Sequence, residues 1–87
     1  MVYTAKIRES SSEYVNFTRT VKITADTIQS LEAKLDEFSR FGECDDVEVD
    51  DSQKPEYFNC SGGFSSRLIS FTDENGADLS EVWKRFL

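Results

Sequence analysis

The 87-residue chain has no histidine, one proline, four glycines, two cysteines and no apolar run longer than a few residues. Each shortage excludes something. Without histidine, neither a cysteine nor a serine has the usual activating base beside it. Two cysteines fall two soft ligands short of a structural zinc site. Short apolar runs exclude a membrane-spanning helix, which needs about 20 residues. The opening MVYTAKIRES lacks the basic-then-apolar pattern of a secretory signal, so a cytoplasmic location is expected. In that reducing setting Cys44 and Cys60 are expected to be free thiols, with a disulfide as the alternative. The sequons at Asn16 and Asn59 then read as chance matches.

Positive charge is also scarce. Ten Lys and Arg face seventeen Asp and Glu, for a net charge of -7. Such a chain repels nucleic acid as a whole, and it suits a basic protein surface as a partner.

The apolar content is 38%, with seven Phe, three Tyr and one Trp, enough for one modest core in one domain spanning 1–87. The clearest element is 26–42. Ile28, Leu31, Leu35, Phe38 and Phe41 follow helical spacing, Asp26 with Gln29 fits a capping box, and Gly42 fits the left-handed C-terminal position.

Before it, Val2 to Glu9 alternates as a strand, Ser10 to Ser12 reads as a polar turn, and Tyr14 to Thr24 forms a second strand. Val15, Phe17, Val21 and Ile23 share a face that Arg19 interrupts, which suggests a strand edge or a bulge. After the helix, Val47 and Val49 alternate with Asp46, Glu48 and Asp50 in a short strand that Pro55 ends. Tyr57 and Phe58 return apolar groups, and Gly62 and Gly63 mark a turn. Ser66 to Thr72 is a fourth strand. Asp73 to Gly76 is a turn, and Asp78 with Glu81 opens a short helix carrying Leu79, Val82, Trp83 and Phe86. The pattern predicts an α+β fold: a β-β-α-β-β antiparallel sheet with one long helix packed on one face, then a short C-terminal helix.

The most distinctive feature is the acidic run. Glu43, Asp45, Asp46, Glu48, Asp50, Asp51 and Glu56 carry seven carboxylates against one base, Lys54. The plain reading is a solvated face. The functional reading is a docking surface for a basic partner, formed by Glu43, Asp45, Asp46, Glu48, Asp50 and Asp51 with Tyr57 as an aromatic contact. A calcium loop fails on position: counted from Asp46, Asp51 stands where the turn needs glycine and Tyr57 where it needs glutamate. The loop from Asp73 fails in the same way, with Lys84 at the twelfth position.

The basic residues are set apart, with Lys6, Arg8, Arg19 and Lys22 on the first hairpin and Lys84 and Arg85 near the end. Cross-strand charge pairs are the expectation for them. Ser61 to Phe64 lacks the lysine and spacing of a phosphate loop. No catalytic, metal or cofactor constellation is recognised, and the chain is read as a non-enzyme.

The segments YTAKIRE, TVKITADTIQSLEAKL and RLISFTDENG set the element order of a short, acidic, single-domain chain. In that order it resembles the small inhibitors encoded by phages and mobile elements, such as anti-CRISPR and anti-restriction proteins and inhibitors of uracil-DNA glycosylase. The resemblance implies steric or electrostatic blockade of a nucleic-acid-binding site on a host protein, DNA mimicry among the modes, and a place in the host cytoplasm. It carries no family site residues. The alternative is a structural module that self-associates, as a homodimer paired through a sheet edge.

Overall fold

The computed structural model describes residues 1–11, 16–54 and 64–87, with the side chains of Ser11 and Phe64 left aside. The expectations for Ser12, Tyr14, Val15, Pro55, Glu56, Tyr57, Phe58, Cys60, Gly62 and Gly63 lie outside these residues. Strands β1 (Val2–Ser11) and β2 (Asn16–Thr24) lead into helix α1 (Ile28–Phe41). Strands β3 (Val47–Asp50) and β4 (Phe64–Thr72) follow, and helix α2 (Ser80–Phe86) ends the order. The four strands form one antiparallel sheet in the order β3-β2-β1-β4, so the fold is α+β with two helices.

Alternation decides which side of the sheet is covered. On β1 and β2 the residues Tyr3, Ala5, Phe17, Val21 and Ile23 are buried, while Lys6, Arg8 and Lys22 on the other face are exposed. Both helices serve the buried face. Leu31 and Leu35 of α1 and Trp83 of α2 join Tyr3, Val21, Ile23 and Phe71 in one core cluster. Phe38, Val82 and Phe86 pack around it.

The details depart from the sequence pattern for identifiable reasons. Helix α1 is capped by Thr27, whose hydroxyl accepts from the Ser30 N–H at 3.1 Å, and not by Asp26. The Ala25 N–H donates to the Met1 carbonyl at 3.0 Å, which keeps the chain extended beyond Thr24 and delays the helix. Gly42 does close α1 in the left-handed conformation, φ 75°, with its N–H on the Phe38 carbonyl at 2.8 Å. Ser10 and Ser11 extend β1 where a turn was expected, because Ser10 pairs with Asn16 and Ser65. Asp78 does not cap α2. Its carboxylate instead accepts from the Ser80 N–H and hydroxyl, and α2 starts two residues later.

A bulge exists, but it is not at Arg19. It lies opposite Lys6 and Ile7, where β4 skips Ile69: Ser70 pairs with Lys6 and Leu68 with Ile7. The extra residue changes the parity of the strand. Phe71 faces the core, Ile69 is left exposed, and Leu68 and Ser66 come round opposite Ile7 and Glu9. Arg19 points to the buried face and forms an ion pair with Glu9 at 3.4 Å. The edge expectation has some basis, because the β2–β3 ladder stops at the Thr20–Asp50 pair, one residue short of Arg19. Among the described residues no helix is long and apolar enough to cross a membrane.

Candidate partner-binding surface

The acidic run begins where α1 ends. Gly42 turns the chain away from the helix, and Asp45 and Asp46 form the tight turn that starts β3. The turn is fixed by backbone groups: the Thr24 N–H donates to the Asp46 carbonyl at 3.0 Å, and the Val47 N–H to the Cys44 carbonyl at 3.1 Å. Lys34 of α1 then clamps it. Its ammonium donates to the Thr24 carbonyl and lies 2.8 Å from the Asp46 carboxylate. Asp46, though exposed, is therefore partly committed to holding β3 against α1.

Along β3 the period of two separates the charges from the apolar residues. Val47 and Val49 face the helix side opposite Ile23 and Val21, and Glu48 and Asp50 face outward opposite Lys22 and Thr20. The Asp50 carboxylate accepts from the Ser52 hydroxyl and N–H, with Lys22 nearby, and these hold its carboxyl below the usual carboxylate range. Asp51 is exposed, and its carbonyl accepts from the Lys54 N–H at 2.9 Å. Tyr57 lies outside the described residues.

Glu43 and Asp45 do not line up with Glu48 and Asp50. They curl round the end of α1 and join Glu37, Phe41 and Cys44 in a shallow depression of about 440 Å³. Phe41 is 72% exposed there, a large ring among carboxylates. The sequence pattern placed it on the core stripe. At 100° per residue, however, it sits about 90° from the centre of the stripe defined by Leu31, Leu35 and Phe38, and that offset was the available signal. Ile28, in the first turn of α1, is 45% exposed although it lies only about 50° from that centre.

Cys44 is a free, half-buried thiol whose Sγ donates to the Glu37 carboxylate at 2.9 Å. That bond, with partial burial and the carboxylates of Glu37 and Asp46, pushes the thiol above its ordinary range against an opposing backbone bond at Asp46. Only the thiolate reacts, so at any given pH Cys44 is slower than a free cysteine. In a Cys60→Ser background, the pH profile of iodoacetamide alkylation is expected to lie alkaline of a cysteine peptide. Glu37→Leu should move it back toward neutral pH. Coincident profiles for the protein and the peptide would refute the assignment.

The rest of the outer sheet face has the opposite charge. Lys6 and Arg8 on β1 are exposed, and Arg8 is directly opposite Arg67 of β4. Of the cross-strand charge pairs expected for the basic residues, Arg19 meets Glu9 diagonally across the hairpin, and Lys22 stands in direct register with Glu48. Charge is thus segregated, with carboxylates at the β3 edge and cations over β1 and β4. Among the described residues no group of three His, Cys, Asp or Glu is placed to hold a metal ion. No protein-family model, curated protein or solved structure matches the chain.

Proposed function

We propose that this is a non-enzymatic docking protein. Its acidic β3 edge and the adjoining end of α1 occupy the basic nucleic-acid-binding surface of a defence or DNA-handling protein and block it. The observation that carries this reading is an exposed Phe41 within a collar of Glu37, Glu43 and Asp45, continuous in sequence with the outward carboxylates of β3. Interfaces take most of their energy from a few desolvated aromatic anchors, and surrounding charge supplies steering and register. Spacing supports mimicry as well. Same-face residues on a strand are about 6.6 Å apart, close to the through-space separation of neighbouring phosphates on one DNA strand, whose rise along the axis alone is about 3.4 Å, so Glu48 and Asp50 suit lysines that grip adjacent phosphates.

The test is affinity capture from nuclease-treated lysate at low and moderate salt, followed by kinetics on the retained protein. One stoichiometric partner is expected, released by salt and displaced by its own nucleic acid. Glu43→Lys with Asp45→Lys should slow association about tenfold or more at low salt. Phe41→Ala should instead speed dissociation, at a cost of about 2 kcal/mol. Asp46 is left unchanged because of its bond to Lys34. A partner bound equally well by both variants would remove the reading.

The second reading, self-association, is favoured by β4. It is a nine-residue edge strand with Ile69 exposed. A salt-insensitive dimer in sedimentation, without a heterologous partner, would replace the first reading with this one.

A further inference from the structure

A cleft opens on the helix-covered side of the sheet, between the ends of β1, β2 and β4 and the two helices, with a volume of about 650 Å³. That lies in the range of about 300–1,000 Å³ usual for small-molecule sites. Its walls are mixed. Phe38 of α1, Leu68 of β4 and Trp83 of α2 supply apolar surface, and Arg19 and Lys84 supply cations. Among the described residues the one acidic side chain lining it, Glu9, is 3% exposed and is already engaged, by the Arg19 ion pair and by the Ser66 hydroxyl that donates to it. Arg19 is the less satisfied partner: its Nε is buried with no acceptor among the described residues, while a third of its side chain stays exposed. In a chain of net charge -7, the described lining of this cleft sets two cations against one carboxylate.

We propose that the cleft binds a small anionic amphiphile, a monocarboxylate with an apolar tail. The head would take the exposed end of the Arg19 guanidinium, with Lys84 adding positive potential at the rim. The tail would lie against Phe38, Leu68 and Trp83. A neutral apolar ligand would leave the excess positive charge unanswered, and a cationic one would meet two like charges. A polyanion such as a nucleotide triphosphate would bring more charge than these groups balance and would leave the apolar walls wet. The site is independent of the acidic docking surface, so either assignment can fail alone.

Trp83 is the single tryptophan of the chain, so its emission reports on this cleft. The experiment is a titration of the intact protein with decanoate below its micellar concentration, with decanol in parallel. A saturable change in emission is expected, with decanoate bound about tenfold more tightly than decanol. Lys84→Glu should remove most of that preference, and the side chain is exposed, so the fold is retained and circular dichroism should match the parent. Methyl shifts in NMR should centre on Ile7 and Leu68, which line the cleft. The proposal is overturned by no saturable signal, by equal affinity for alcohol and acid, by a preference that is unchanged in Lys84→Glu, or by shifts that map elsewhere.

Discussion

Arg19→Met is expected to cost about 3–5 kcal/mol, a large share of the roughly 5–15 kcal/mol that holds a domain of this kind. The loss comes from what remains behind. Glu9 sits on the central strand with 3% of its surface exposed, and Arg19 is its one ion-pair partner among the described residues. A methionine has nearly the length of the arginine stem and keeps the packing, but it leaves a buried carboxylate answered only by the Ser66 hydroxyl. The contact of the guanidinium with the Phe17 ring, 5.7 Å to its centroid, is lost as well. The control is Glu9→Gln with Arg19→Met. Removing the charge together with its partner should recover much of the loss, because the cost lies in burying one unpaired charge. Urea unfolding of the four corners of this cycle is the measurement. A single-variant cost below about 1 kcal/mol would mean that Glu9 does not depend on Arg19. A double variant no more stable than Arg19→Met would place the cost in packing instead.

The same pair shows where sequence reading ends. Arg19 stood out as a charge on an apolar face, yet nothing in β2 indicates what answers it. The answer is a diagonal neighbour across the hairpin: Glu9 pairs with Phe17, and Ile7 with Arg19. Alternation in β1 and β2, and the Leu31–Leu35 spacing of α1, were legible because a period of two or 3.6 is set by the chain itself. Helix ends were not, because Asp26 and Thr27 are both competent caps and a backbone bond from Ala25 to Met1 selects between them. Nor was the parity of β4, since Leu68 and Ile69 are both apolar and adjacent, and the bulge decides which one packs. The acidic run was legible as charge. The division of labour within it, with Asp46 held by Lys34 and Phe41 left bare beside Glu43, needed the third dimension. The cleft draws on β1, β2, β4 and both helices, so no local motif could announce it.

Phe71→Ala should be as damaging, about 3–5 kcal/mol, and should act through α2. Phe71 is fully buried and stands between Tyr3 of β1, with ring centroids 6.3 Å apart, and Trp83 of α2, 5.1 Å away in a tilted pair. Its carbonyl also accepts from the Leu79 N–H at 2.7 Å, at the point where the chain turns into α2. Helix α2 has only seven residues and no side-chain bond at its N-terminal cap. A helix that short does not form alone in water, so it persists because Trp83 is held down. Truncating Phe71 empties the space beneath that ring, and α2 should loosen before the sheet does. Three readouts follow: a lower urea midpoint, a red-shifted Trp83 emission in the native baseline, and amide exchange in α2 that speeds up more than in β1 and β2. Leu35→Ala, which removes a fully buried side chain from α1, provides the contrast, because it should lower global stability without singling out α2. If Phe71→Ala speeds exchange evenly through sheet and helix, then α2 unfolds only with the whole domain, and the cleft that Trp83 lines is as rigid as the core.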